Sequence, residues 1–439
     1  MRNPYIVGGW VRGPHHYGRE TLIDHLLHSP VDAVWVIGNR RMGKTSLLRQ
    51  LEYLTLADEM YVPLYQDMEG CSTFAELSQR LMYAVEDVLE RFRPVGLDLK
   101  ELEGRDLPGQ LRLLRQRARR AGRKVLLLWD EAEVLILAGQ ENPRLLASLR
   151  AELQQGEGLR VIMASTRALS RLNDLCRDWE TSPFLFGFGL RNLFGLSPAA
   201  AEALIRQTQG PQPVEVPPPL VQEIRRHTND HPYLIQYLCQ RLFEAEGRLR
   251  PITPSDLEPT DMLAHFFEID YRHLTAFEQA ILRQVAAYGT VDEVALQRAT
   301  GIGSSPLRAF LFGLTKLGYL QERDGGWAAH NTFFERWLQA HMEQLPTMEY
   351  SRVSERTTQE MLIQGQKQEA EYLQQQLQVQ KRNLHELELQ RARQGINVPL
   401  PLIHEIEHAQ AEIERITQEL DKLAAFTGST NLSTSRRLV

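Results

Sequence analysis

The sequence has few cysteines, no long apolar run and no excess of positive charge, and each shortage excludes a class of protein. Only three cysteines, Cys71, Cys176 and Cys239, occur among 439 residues. They are far apart and match no metal-binding pattern, so we expect reduced thiols in an intracellular protein. No apolar run approaches the roughly 18 residues of a membrane-spanning helix, and no leader peptide is recognisable. We therefore expect a soluble, cytoplasmic protein.

The overall charge argues against one large class of partners. The formal net charge is -6 and the isoelectric point is near 6.2. The chain therefore lacks the overall basic signature of a nucleic-acid-binding protein, which leaves only a local basic patch open. No Ser/His/Asp or Cys/His nucleophile set stands out. The length of 439 residues allows two or three domains, each with its own core.

The clearest positive signal is a phosphate-loop motif near the N-terminus. Residues 38–45 read Gly-Asn-Arg-Arg-Met-Gly-Lys-Thr and fit the pattern G-x-x-x-x-G-K-[ST]. An apolar run precedes them and apolar positions at helical spacing follow, which predicts the strand, loop and helix that the motif needs. Backbone N–H groups of such a loop cradle phosphates at the helix N-terminus. The predicted nucleotide-binding residues are Gly38, Asn39, Arg40, Arg41, Met42, Gly43, Lys44, Thr45 and Ser46.

Two carboxylates further along the chain complete this site. The apolar segment that begins at Lys124 predicts a buried strand that ends in Asp130 and Glu131. Ligands of parallel sheets bind at the carboxyl ends of the strands, so the acids would join the phosphate loop. We expect Lys44 to contact the β- and γ-phosphates and Thr45 and Asp130 to hold Mg²⁺. Glu131 would polarise the attacking water; two solvated acids at a strand end are the alternative.

Five apolar segments predict the strands of one sheet. They are Val34–Ile37, Met60–Tyr65, Lys124–Asp130, Arg160–Ala164 and Leu185–Leu190. Helical patterns separate them, as in a doubly wound α/β fold with a parallel sheet. The sequence therefore predicts the α/β core of a P-loop NTPase.

A second type of module is predicted at 274–341. Three helices and a two-stranded hairpin turning on Asp-Gly-Gly follow one another in the order of a winged helix. The third helix, 305–317, would be the recognition helix, but Arg308 and Lys316 are its only basic residues. Because phosphate contacts carry most DNA affinity, we expect this domain to contact protein rather than DNA.

The C-terminal part predicts a coiled coil. From about Val353 the chain is rich in Gln and Glu, and apolar residues between 402 and 423 follow the a and d positions of a heptad. Glycine and prolines between 395 and 401 break the helix. We expect an antiparallel coiled-coil hairpin that serves either for oligomerisation and self-packing or for recruiting a partner.

Three segments together resemble the STAND-type ATPases of bacteria and archaea, which are signal-transduction relatives of AAA+ proteins. They are Gly38–Leu48, Trp129–Glu133 and His231–Gln236, and the resemblance covers about residues 3–345. It implies ATP with Mg²⁺ as the ligand, bound between the α/β core and a helical lid. The hairpin similarly resembles the helical extensions of bacterial signalling and conflict proteins.

The resemblance also assigns residues outside the phosphate loop. Tyr17 and Arg19 would belong to the segment that closes over the adenine, with an ordinary turn into a helix as the alternative. His231 and Pro232 would begin the lid helix that contacts the phosphates. Asp230 stands where the family usually has glycine, and a plain helix start explains the same residues.

Polar residues at the end of the predicted fourth strand resemble the γ-phosphate sensor of these ATPases. Ser165, Thr166 and Arg167 are the candidates, with helix capping as the alternative role for the two hydroxyls. Arg167 and Arg191 are candidates, by position, for an arginine that acts across a subunit boundary.

These expectations give a domain plan and a function. The predicted domains are the P-loop ATPase core at 1–195, the helical lid at 196–270, the winged helix at 271–346, the coiled-coil hairpin at 347–426 and a polar tail at 427–439. We expect a slow ATPase that acts as a molecular switch, couples nucleotide state to homo-oligomer assembly and partner signalling, and serves in a bacterial conflict or defence pathway. The alternatives are a DNA-associated AAA+ ATPase resembling replication initiators or transposition regulators, and a nucleotide-stabilised scaffold.

Overall fold

The structure, a computed structural model, describes residues 2–175, 184–342 and 400–427 and part of the positions between 362 and 391. The chain forms two compact units. The first comprises Met1–Gly301 and Leu314–Thr357, and the second Ile302–Gly313 and Thr358–Val439. Cys176, residues 395–399 and the tail beyond residue 427 lie outside the described residues. The last two residues of the predicted helix break at 395–401 belong to the first turn of a helix, where proline is tolerated.

A parallel five-stranded sheet forms the centre of the first unit. Its strands are β1 (Ala33–Ile37), β2 (Tyr61–Asp67), β3 (Lys124–Asp130), β4 (Leu159–Ser165) and β5 (Gly189–Asn192). Their order in the sheet is β2-β3-β4-β1-β5, and every pair is parallel. Each residue of β1 and β4 is buried, because helices cover both faces of the sheet. The predicted α/β core is confirmed.

The position of the last strand differs from the prediction. We expected it at Leu185–Leu190, whereas β5 spans Gly189–Asn192. Phe184 and Phe188 stack their rings at 5.9 Å in the preceding turn, and both are buried. Gly187 has a φ of +92°, a left-handed conformation that ends an extended strand. The apolar residues that suggested a strand therefore fill a packed turn.

Eight α-helices precede or connect the strands in the described part of this core. They are α1 (Glu20–His28), α2 (Lys44–Thr55), α3 (Phe74–Asp87), α4 (Leu89–Phe92), α5 (Leu107–Arg120), α6 (Leu135–Glu141), α7 (Pro143–Leu153) and α8 (Leu172–Leu175). α1 and α2 pack with Leu126, Leu128 and Ile162 in one apolar cluster. Leu127 and Trp129, which alternate to the opposite face, are also fully buried.

Four helices follow the sheet and form a separate apolar cluster with the N-terminal segment. They are α9 (Pro198–Arg206), α10 (Pro218–Thr228), α11 (Pro232–Leu242) and α12 (Asp261–Arg272). Ser197 accepts the Ala200 N–H and so caps α9, and proline occupies the first turn of α9, α10 and α11. Tyr5 and Tyr17 of the N-terminal segment belong to this cluster. These four helices, which correspond to the predicted helical lid, therefore pack with residues from the start of the chain.

Four more helices and a hairpin follow the lid. They are α13 (Ala276–Tyr288), α14 (Glu293–Thr300), α15 (Ser304–Lys316), β6 (Leu320–Arg323), β7 (Gly326–Ala329) and α16 (Thr332–His341). β6 and β7 are antiparallel and turn at Asp324 and Gly325, both with positive φ. Three helices followed by a hairpin is the predicted order, and the assignment as a winged helix stays a prediction.

Apart from Ile302 and Gly303, the described residues of the second unit are helical. They include α17 (Leu400–Thr427) and the described positions between 362 and 391. Phe312, Ala370 and Leu423 form a small apolar cluster within this unit. The buried positions of α17 include residues 402, 406, 409, 416 and 423, which share one helix face. The coiled-coil hairpin stays a prediction. Among the described helices, none is long and apolar enough to cross a membrane.

Gly158 tests the packing of α5 against the start of β4. Its φ is +82°, and a Cβ there would lie 2.5 Å from the carbonyl oxygen of Arg115. Gly122 has a similar φ of +68° but open space around it. Gly122→Ala should therefore cost about 1–2 kcal/mol for the left-handed conformation. Gly158→Ala should cost roughly 1–3 kcal/mol more because α5 must shift. Urea unfolding monitored by circular dichroism measures both, and equal losses would contradict the close approach.

Candidate functional site

The loop between β1 and α2 has the backbone of an anion-binding turn. Gly43 has a φ of +96° and Arg41 a φ of +64°, so the chain curls just before α2 begins at Lys44. Gly43 has no side chain to cap the helix, which leaves its first N–H groups for a ligand. A Cβ on Gly38 would lie 3.2 Å from the Leu193 Cβ, so the start of the loop is tightly packed. These features suit a phosphate group.

The Lys44 side chain lies along this loop. It is buried, and its Nζ donates to the carbonyl oxygens of Gly38 at 3.0 Å and Asn39 at 3.2 Å. These contacts hold the ammonium group beside the loop rather than in solvent. Lys44 can therefore present its charge to a phosphate on the same backbone.

Asp130, at the end of β3, lies next to the first turn of α2. The Thr45 hydroxyl is a hydrogen-bond partner of its carboxylate. Tyr65 Oη and the Glu131 N–H also donate to it, both at 3.1 Å. Burial raises the pKa of Asp130, while Thr45 and the charge of Lys44 act in the opposite direction. A hydroxyl beside a carboxylate offers the oxygen ligands that Mg²⁺ prefers, so these residues fit the ion.

Glu131 has a left-handed backbone conformation and a raised side-chain pKa. Its φ is +51°, which is rare for a residue with a side chain and typical of functional turns. Burial raises its pKa to about 7; Glu133 adds to this effect, and Lys44 opposes it. A carboxylate with a pKa near neutrality suits a general base. The left-handed turn places Glu131 in the wall of the cavity that the phosphate loop lines.

That cavity has a volume of about 330 Å³ and is lined by three parts of the first unit. The phosphate loop and Glu131 form one wall, and the N-terminal segment and the lid form the others. The sequence analysis missed several of its residues, namely Ile6, Trp10, Tyr233, Gln236 and Phe266. Gln236 accepts the Ile6 N–H at 3.1 Å and so joins the N-terminal segment to α11. No local motif marks the N-terminal segment as part of a site.

Several side chains of the phosphate loop contact other elements of the fold, both in the lid and in the segment that follows it. Asn39 Nδ2 donates to the carbonyl oxygen of Leu317 at 2.5 Å. The Arg41 guanidinium lies 4.4 Å from the centre of the Phe266 ring on α12. Met42 is buried in the core, and Ser46 accepts the Val11 N–H at 3.1 Å. The loop is thus attached to elements far away in sequence.

Tyr17 and Arg19 lie beside the phosphate loop. Both line a smaller cavity of about 60 Å³, together with His16, Gly43 and Pro232. Arg19 donates to the carbonyl oxygens of Gly195 at 3.1 Å and Met42 at 3.5 Å. Burial lowers the pKa of His16 to about 4, so its ring is neutral at neutral pH. The location suits the predicted contact with a base, which stays a prediction.

His231 is the N-cap residue of α11. Its Nδ1 accepts the Leu234 N–H at 3.4 Å. Burial lowers its pKa to about 3, and the nearby His330 acts in the same direction. Neutral imidazole carries no charge to offer a phosphate, so capping is the role that its contacts show. Asp230, which stands where the sequences that this chain resembles usually have glycine, has a φ of +57° and pairs with Arg225 at 2.8 Å.

The sensor candidates after β4 are engaged in protein contacts. Ser165 accepts from Trp35 Nε1 at 2.6 Å and donates to the Thr166 carbonyl at 2.8 Å. The Thr166 N–H donates to Glu133 Oε1 at 2.5 Å. Arg167 forms a buried bidentate ion pair with Glu278 of α13. The Thr166 hydroxyl accepts the Ala168 N–H at 3.4 Å, a contact of the helix-capping type, at the start of the short turn Arg167–Arg171. The sensor roles stay predictions.

Arg191 belongs to β5 and faces the core. Its guanidinium donates to the Leu190 carbonyl oxygen at 2.6 Å and lies 2.6 Å from His25 Nε2. Burial lowers the pKa of His25 to about 4, and Arg191 contributes to this shift. The side chain is buried, so its predicted role across a subunit boundary has no support from these contacts and stays a prediction.

Comparisons with solved structures find the same architecture elsewhere. A Walker-type ATPase of Pyrococcus abyssi superposes with a TM-score of 0.53 at 18% identity, over 76% of this chain and 99% of that one. The fold is that of a P-loop NTPase. The ORC2 protein of Aeropyrum pernix matches with a TM-score of 0.45 at 14% identity, over 74% of this chain and 92% of that one. No family model and no curated protein matches the sequence.

The Arg167–Glu278 pair provides a test within the P-loop NTPase fold. Arg167→Met would leave the fully buried Glu278 carboxylate without its partner, so we expect a loss of about 3–5 kcal/mol. In a Glu278→Gln background the same substitution should cost much less. The exposed pair Arg119–Glu157 is the control, because Arg119→Met should cost less than about 1 kcal/mol. Urea unfolding measures each value. Equal losses for Arg167→Met and Arg119→Met would show that the buried pair is not important for stability.

Proposed function

We propose that this chain binds and hydrolyses ATP with Mg²⁺. The observation that carries the proposal is the meeting of Lys44, Thr45, Asp130 and Glu131 at one edge of the sheet. Lys44, Thr45 and Glu131 line the same cavity, and Asp130 contacts Thr45. A backbone cradle, a lysine, an oxygen ligand pair and a base are the parts that phosphoryl transfer to water requires.

Each residue has a distinct part in the proposed reaction. The loop N–H groups and Lys44 bind the phosphates, and Thr45 and Asp130 hold Mg²⁺, with Asp130 acting through water. The ion, when bound, neutralises the charge that develops on the phosphate oxygens. Glu131 orients the attacking water and accepts its proton at a carboxylate oxygen. We expect slow hydrolysis that acts as a timer.

We further propose that nucleotide state controls assembly, as in STAND and AAA+ proteins. Asn39 contacts Leu317 and Arg167 pairs with Glu278, so the nucleotide site is joined to the predicted winged helix. A change at the phosphates would therefore act on that domain. The predicted coiled-coil hairpin would then mediate self-assembly or bind a signalling partner in a conflict or defence pathway.

The residues of α15 favour protein contact over DNA binding. Lys316, one of its two basic residues, lies with its Nζ 4.3 Å from the centre of the Phe194 ring. Phe310, Leu311 and Phe312 of the same helix are buried. A recognition helix needs basic residues that reach phosphates. The DNA-associated ATPase remains the alternative function.

Two substitutions separate binding from hydrolysis. Lys44→Ala should weaken binding of Mg²⁺-ATP at least about tenfold, because the phosphates lose their cation. Glu131→Gln should keep binding and lower phosphate release by roughly 100-fold or more. Isothermal titration and a phosphate-release assay measure these effects. Lys100→Ala and Glu141→Gln, at exposed positions, are the matched controls.

The same measurements discriminate between the alternatives. Unaltered ATP binding in Lys44→Ala would refute the nucleotide site. Equal phosphate release from the unmodified protein and Glu131→Gln would leave only the nucleotide-stabilised scaffold.

Light scattering tests the proposed switch. The Glu131→Gln protein should have a larger mass in solution with Mg²⁺-ATP than with Mg²⁺-ADP, because it would hold the triphosphate state. The same mass in both nucleotides would contradict nucleotide-driven assembly. Binding of random duplex DNA at low salt would instead favour the DNA-associated alternative.

A further inference from the structure

A carboxylate from the lid lies at the phosphate loop. Asp270, in the last turn of α12, is buried, and its Oδ1 is 3.6 Å from Arg40 Nε. The backbone N–H of Arg40 is also its hydrogen-bond partner, and the charge of Lys44 acts on it. Asp270 therefore accepts a hydrogen bond from one backbone amide of the loop and is attracted by the charge of Lys44.

This position is unexpected for an acid. A phosphate loop is built to attract negative charge, and its N–H groups and lysine are the contacts that phosphate oxygens use. Burial raises the pKa of Asp270 to about 6, and Lys44 and Arg40 oppose this shift. At pH 8 the carboxylate is therefore ionised. Asp270 therefore holds a negative charge beside Arg40 of the phosphate loop, within the electrostatic influence of Lys44.

We propose that Asp270 makes this site select a nucleoside diphosphate over a triphosphate while α12 is packed on the phosphate loop. The inference rests on the proposed nucleotide binding. A diphosphate would use Lys44 and the loop amides and leave the Asp270–Arg40 pair in place. A third phosphate would bring more negative charge next to the carboxylate, and the two would compete for the Arg40 N–H.

Triphosphate binding therefore requires Asp270 to withdraw. Because Asp270 and Phe266 both belong to α12, withdrawal would also break the contact of Phe266 with Arg41. The third phosphate would thus loosen the lid from the loop. Asp270 thus makes the position of α12 depend on whether the bound nucleotide has two or three phosphates.

The substitution Asp270→Asn removes the charge and keeps the shape. Repulsion between the carboxylate and one further negative charge about 6–8 Å away, at an effective dielectric constant of about 20, would weaken binding by a factor of tens. Relaxation of the protein around the two charges reduces this factor to about tenfold. We expect Asp270→Asn to strengthen triphosphate binding relative to diphosphate binding by about tenfold. Asp261→Asn, an exposed position on the same helix, is the matched control and should leave the ratio unchanged.

Titration of the full chain with Mg²⁺-ADP and with the Mg²⁺ complex of a non-hydrolysable imido analogue of ATP, at pH 8, measures this ratio. The unmodified protein must bind the diphosphate more tightly, and equal or tighter binding of the triphosphate analogue would overturn the inference without any variant. An unchanged ratio in folded Asp270→Asn would overturn it while leaving nucleotide binding intact. If neither nucleotide binds to the unmodified protein or to Asp270→Asn, the proposed function itself fails.

Discussion

The insertion of β4 between β1 and β3 is the constraint on which the site depends. Neighbouring strands lie about 4.8 Å apart, so the ends of β1 and β3 are separated by roughly 10 Å at the edge where both chains turn. That gap is wide enough for a phosphate group and a cation between the loop and Asp130. Thr45 spans it, because α2 begins directly over the gap and carries the hydroxyl to the carboxylate. The buried residues of β4 keep the separation fixed.

Removal from water changes the pKa values of the carboxylates at this edge of the sheet. Burial raises the pKa of Asp130, Glu131 and Asp270, and Lys44 opposes each of the three shifts. Arg40 also opposes the shifts of Glu131 and Asp270. A polyphosphate at this edge would bring further negative charge next to the three acids, so the proposed divalent cation beside Thr45 and Asp130 would be favoured by electrostatics as well as by the ligand set. The three acids also make the site sensitive to one additional charge on the ligand.

Local motifs made one half of the site predictable. Gly43 needs a positive φ and Asp130 directly follows a buried strand, so a short stretch of sequence defines each. In the lid half the resemblance predicted Pro232, which lines the cavity. It did not predict Phe266 and Asp270, because these two reach the loop only through the packing of α12. Their residue types are unremarkable for any amphipathic helix. The shifted β5 has a similar cause, since a pair of stacked phenylalanines is as apolar as a strand.

Three contacts join the nucleotide edge to α12 of the lid and to the segments that follow the lid, and they differ in kind. Asn39 donates to a backbone carbonyl, Arg40 lies 3.6 Å from Asp270, and Arg167 makes a buried bidentate pair. The bidentate pair is costly to break, because the Glu278 carboxylate would be left buried without its counter-charge. The other two involve the loop itself and are weaker. A ligand on the loop therefore acts first on the weak contacts, while the Arg167 pair holds α13 in place. These contacts therefore allow α12 to move away from the phosphate loop while α13 keeps its ion pair with Arg167. Of the possible movements, this one costs the least free energy.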